Sequence, residues 1–62
     1  MIVKDTTSIP LAIQEAKNED DVKLIRNEIE RRFQNDVIGY YAYESLSRKL
    51  YFKEIYLKQR RL

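Results

Sequence analysis

The chain contains no cysteine and no histidine, and only one glycine and one proline among its 62 residues. Without cysteine there is no disulfide, and without cysteine and histidine the usual ligands of a structural zinc site are missing. The same absences remove the side chain that titrates near neutral pH and the thiol nucleophile, so Ser8, Ser45 and Ser47 have no base to activate them. Carboxylate pairs remain, Asp20 with Asp21 and Glu28 with Glu30. At those spacings they read as a helix start and a solvated face, and two-carboxylate chemistry needs a cleft that helices this short would hardly form. No enzyme is expected. No cofactor or metal is expected either, because Glu19, Asp20 and Asp21 lack EF-hand spacing and suit a helix cap. No apolar run approaches the roughly 18 residues of a membrane span. The start MIVKDTTSIP lacks the basic-then-apolar build of a secretory signal, so no membrane partner and a cytoplasmic setting are expected.

What is present is a hydrophobic content of 44% with 35% charged residues, the balance of a folded, helix-rich chain. Residues 1–62 are read as a single small domain, close to the lower size limit for independent folding. With the staples excluded, tight helix packing or self-association has to supply stability. Charge is unevenly spread. Residues 1–31 hold five Lys/Arg against seven Asp/Glu, a balance of −2, and residues 32–62 hold seven against three, a balance of +4. An acidic front and a basic back can attract each other, a second copy or a polyanion.

Along the chain, Ile2-Val3 and the polar run Lys4 to Thr7 read as an arm that frays or pairs with something. Ser8 before Ile9-Pro10 is a helix start, predicting a first helix from Ile9 to Lys17 with Leu11, Ile13 and Ala16 buried. Asn18 caps a second helix, Glu19 to Gln34, with Asp21 reaching back as a capping-box variant and three carboxylates at the positive end of the dipole. Val22, Ile25, Ile29 and Phe33 form its core stripe, at spacings of three, four and four. Leu24 lies off the stripe, toward helix one. Glu28 and Arg32 are an i, i+4 pair.

The last third, opened by Gly39, carries more apolar surface than one packing partner can cover. As a helix, Ala42, Tyr43, Leu46, Leu50 and Leu57 fall on one side and Tyr41, Tyr51, Phe52, Ile55 and Tyr56 on a broad second side. A β-hairpin is the alternative, with strands from Val37 to Tyr43 and Leu50 to Leu57. Against it, Ser45 to Lys49 lacks the glycine or Asn-Gly of a tight turn. The expected architecture is therefore all-α: a short helix, then an antiparallel helical hairpin, in a monomer or a dimer. Helix three is expected to outrun helix two, leaving Phe52 to Leu62 without cover from its own chain.

Two functional classes follow. The second side of helix three has the composition of an interface core, predicting a protein-binding regulator, inhibitor or adaptor that uses Tyr41, Tyr51, Phe52, Ile55 and Tyr56 and self-associates. The other class is nucleic-acid binding, with Arg48, Lys49, Lys53, Lys58, Arg60 and Arg61 on phosphates and tyrosines stacking on bases. Against it, the faces that would carry base-reading groups are apolar. The run from Asp21 to Arg32, with its acidic start, Leu24-Ile25, Asn27-Glu28-Ile29 and closing Arg31-Arg32, resembles the second helix of the Sda family. These are small bacterial helical hairpins that inhibit sporulation histidine kinases by binding their dimerisation helices. The likeness is confined to residues 21–32; a shorter first helix and a long Tyr-rich third helix depart from the family, and no functional residue is carried over. It implies a small helical inhibitor or adaptor, and the chain's size and style suggest a bacterial or mobile-element source.

Overall fold

The best-defined boundary in the chain is the start of helix α2, Glu19–Gln34. The Asn18 side chain accepts a hydrogen bond from the Asp21 backbone N–H at 2.9 Å, satisfying one of the orphan donors of the first turn. Asp21 reaches back, as expected, but one residue further than a capping box requires: its Oδ2 accepts from the Lys17 N–H at 2.9 Å. Asp21 is buried, with the Met1 ammonium 3.7 Å from its other oxygen. The computed structural model, which describes residues 1–60, contains two further helices, α1 over Ile9–Glu15 and α3 over Tyr40–Arg60. Among the described residues there is no strand, and the segment offered as a β-hairpin is helical from Tyr40 onward.

α2 and α3 form the antiparallel hairpin, and α1 packs against both. Val22, Ile25 and Ile29 are buried, and with Ile9, Ala12, Ile13, Ala16, Leu50 and Leu57 they make the core. Phe33, the last member of the α2 stripe, is only partly buried and stacks on Tyr43 with 4.3 Å between ring centroids. The Tyr43 hydroxyl donates to Glu30, which holds that phenol above its usual pKa, so the pair pins the loop end of the hairpin. Toward the other end Arg26 bridges Glu54 at 2.9 Å, and this contact, with help from Lys58, lowers the Glu54 pKa.

The hairpin loop turns on Asp36, whose φ of 58° lies in the left-handed region. The Val37 N–H donates to the Arg32 carbonyl at 2.8 Å and the Asp36 N–H to that of Phe33 at 3.2 Å, the paired bonds of a Schellman C-cap. The position that favours glycine is therefore held by aspartate. Gly39 has open space where a Cβ would stand, and its carbonyl takes the first bond of α3, from the Tyr43 N–H at 2.9 Å.

Several sequence expectations need correction. α1 stops at Glu15, not Lys17, because Ala16 turns to extended backbone; Ser8 makes no side-chain cap, though Pro10 does sit in the first turn. Leu11 is not in the core. Ile9, Ala12, Ile13 and Ala16 share one side of the helix, and Leu11, about 200° from Ile9, is thrown outward. Leu24 is likewise exposed rather than docked on α1, and Ala42 is exposed rather than in the stripe of α3. The last turns of α3 are not bare: Leu57 is buried, and Lys53 donates to the Gln14 carbonyl of α1 at 3.0 Å. Arg61 and Leu62 lie outside the described residues.

Glu28 is no solvated carboxylate. It is buried between Arg31 and Arg32, whose Nε atoms donate to it at 2.9 and 2.7 Å. Hydrogen bonding to Arg31, then Arg32, lowers its pKa to about 2 against the opposing effect of burial. The same two arginines hold the N-terminal arm. Arg31 bridges Asp5 at 2.7 Å, and Arg32 Nη2 donates to the carbonyls of Lys4, Asp5 and Thr7 at 2.9, 3.1 and 2.8 Å. A guanidinium with its Nε on a carboxylate still has donors for backbone oxygens, which a lysine could not place in one plane.

Candidate protein-docking surface

α3 positions its outer side chains by its pitch. Leu50 and Leu57 point into the core, and at about 100° per residue Phe52, Ile55 and Tyr41 emerge on the far side. Tyr41 is 88% exposed, Phe52 61%, Tyr51 57% and Tyr56 52%, while Ile55 is partly buried. These residues do not form one continuous patch. Tyr41 lies about 16 Å along the helix axis from Phe52 and makes its edge contact with Tyr40, 6.1 Å between ring centroids. Tyr51 and Phe52 are neighbours, 6.0 Å apart, but diverge to the two flanks: Phe52 and Tyr56 lean toward α1, Tyr51 and Ile55 away from it.

The α1 flank is built into a groove. Pro10, Leu11 and Ile13 of α1 face Lys49, Phe52 and Lys53 of α3 across a shallow space of about 710 Å³. Leu11, assigned by the sequence to the core, is a wall of this groove and is 51% exposed. An outward Leu beside an N-terminal proline could have been found from the α1 pattern, since Ile9, Ala12, Ile13 and Ala16 already complete an inward face without it. A larger open cleft of about 1040 Å³ lies between the α1–α2 junction and the end of α3. Its lining is about half polar and includes Asn18 and Asp21, which are engaged in capping α2, whereas the lining of the groove beside Phe52 is mostly apolar.

The cations predicted for nucleic acid separate in space. Arg48 is bridged to Glu44 at 3.1 Å, and Lys58 lies 3.7 Å from Glu54, each within one helical turn. Lys49, Lys53 and Arg60 share a different side, next to the aromatic residues. Tyr56 stands between two of them, with Lys53 Nζ 5.6 Å and the Arg60 guanidinium 5.8 Å from its ring centroid, inside cation–π range. Arg61 lies outside the described residues. No helix among the described residues is long and apolar enough to cross a membrane. Comparisons with protein-family models, with curated proteins and with solved structures returned no match to this chain.

Proposed function

We propose that this protein is a small cytoplasmic binding module, a regulator, inhibitor or adaptor that acts by docking another protein on the outer side of α3 and that also self-associates. The carrying observation is the exposure of Leu11, Phe52, Tyr51 and Tyr56 in a chain whose core is otherwise closed by Ile25, Ile29 and Leu50. On the α1 flank Leu11 and Phe52 lie beside Lys49 and Lys53, and large apolar side chains bordered by charge have the composition of an interface core. Covering Phe52 and its neighbours with a partner would remove from water the apolar area that α1 and α2 leave open. The likeness of residues 21–32 to the Sda family supports an inhibitor or adaptor, and the chain's size and style suggest a bacterial or phage source. Any such docking would run through α3 and α1, because α2 is committed to the core.

The test is Phe52→Glu with Tyr56→Glu. Sedimenting mass should fall, or capture of the partner should be lost, with helical circular dichroism preserved. Unchanged mass together with unchanged capture ends this reading. The nucleic-acid alternative draws on Lys49, Lys53 and Arg60 beside Tyr56, a cationic row next to a stacking platform. It requires salt-dependent binding to a duplex or single strand that weakens in Arg60→Ala with Arg61→Ala.

A further inference from the structure

The groove between α1 and α3 has carbon on its walls and charge on one rim. Pro10 and Leu11 face Phe52, and Lys49 and Lys53 run along the α3 side. Lys53 is held by two neutral groups, the Gln14 carbonyl at 3.0 Å and the Tyr56 ring at 5.6 Å. Among the described residues no carboxylate lies in ion-pair range of Lys49, Lys53 or Arg60; the ion pairs of α3 go instead to Glu44, Arg48, Glu54 and Lys58. Spacings of four and then seven residues keep the three cations on one side; Lys49 and Lys53, about 6 Å apart along the axis, border the apolar trough, and Arg60 borders the neighbouring cleft.

We infer that the occupant of this groove is an acidic amphipathic segment of a partner protein, with an apolar side chain seated between Leu11 and Phe52 and carboxylates set against Lys49 and Lys53. The inference rests on the protein-binding reading above and names the partner's chemistry. A wholly apolar partner would desolvate Lys49 and Lys53 with no counter-charge, which is costly. A phosphate backbone would satisfy the cations and leave Leu11 and Phe52 in water. An acidic amphipathic segment meets both requirements, and charge on the rim also raises the encounter rate.

The probe is a random library of roughly 12-residue peptides, long enough as a helix to run beside the cation row. It is selected on the intact protein and counter-selected on Leu11→Asp. Enriched peptides should carry carboxylates flanking an apolar residue. Their affinity, read by fluorescence polarisation, should fall about tenfold or more in Lys49→Glu with Lys53→Glu, and should be unchanged in Asn27→Ala, an exposed position of α2 outside the groove. Because Lys53 also holds Gln14, the exposed single change Lys49→Glu provides a fold-neutral second variant, checked by circular dichroism. Enriched peptides without acidic excess, or insensitive to charge reversal yet lost in Phe52→Glu, overturn the acidic partner while leaving protein binding intact. Failure to enrich any Phe52-dependent peptide overturns the acidic partner, and overturns the protein-binding reading as well when the sedimenting mass is also unchanged in Phe52→Glu with Tyr56→Glu. A sedimenting mass that falls on charge reversal, with no peptide bound, assigns the groove to a second copy. Salt-dependent capture of a random oligonucleotide in place of peptide assigns it to nucleic acid. Either result also overturns the inference.

Discussion

α2 and α3 are the two arms of one hairpin, and they use their apolar residues differently. α2 keeps Val22, Ile25 and Ile29 on one narrow side and, apart from the exposed Leu24, gives most of its remaining surface to polar and charged groups, with Glu28 bonded to Arg31 and Arg32 and the two arginines bonded to the arm. α3 buries Leu50 and Leu57 and still shows Tyr41, Tyr51, Phe52 and Tyr56 to solvent. A helix with a single stripe is satisfied by its own fold. A helix that is apolar beyond its stripe is only partly satisfied, and the excess marks where another molecule can add stability.

The most severe test of this contrast truncates one residue from each arm. Ile25 is fully buried, and Ile25→Ala should cost about 2–5 kcal/mol in urea denaturation. Phe52→Ala, on the solvent side of α3, should change stability by no more than about 0.5 kcal/mol while weakening association. Equal losses would mean that α3's outer residues are structural and the contrast is mistaken.

Acid should separate the arms next. The Glu28 carboxyl has a pKa of about 2 in the folded chain against an ordinary value of 4.5. Its stabilising contribution is therefore complete above 4.5 and is lost as the pH falls through that value toward 2. Urea midpoints measured between pH 6 and pH 2.5 should fall across that window. The fall should be shallower in Glu28→Gln, which has no proton to take up; parallel curves for the two proteins would remove Glu28 as the acid-sensitive group.

Smaller effects belong to the helix ends. Asn18→Ala deletes the cap on Asp21 and should cost about 1 kcal/mol by thermal melting. Asp36→Gly relieves a left-handed aspartate and should gain up to about 1 kcal/mol, partly offset by the greater freedom of glycine in the unfolded chain. Gain at Asp36 with no change on Gly39→Ala would place the loop's conformational demand at Asp36.

Much of this fold was legible in advance. Asn18 before three carboxylates, followed by apolar residues at three and four, marked α2 to the residue, and the missing turn residues between Ser45 and Lys49 favoured a helix over a hairpin of strands. The candidate surface was legible only in part. Phe52 and Tyr56 were named, but Leu11 was placed indoors, and Tyr41 was grouped with residues about 16 Å away along the axis. α1 is seven residues long, and the inward face that its pattern does contain is half alanine, which stands out little beside a leucine.

The sequence by itself determined three helices and their order, because caps, dipole charge and a 3.6-residue repeat act within a few residues of one another. Only the tertiary structure decided which side of α3 is sheltered, that Leu11 and Phe52 share a groove, and that Arg32 holds the carbonyls of an arm more than twenty residues away. The physical reason is that a helix sets the direction of each side chain relative to its own axis, whereas burial depends on where the neighbouring helices lie, which no local spacing records.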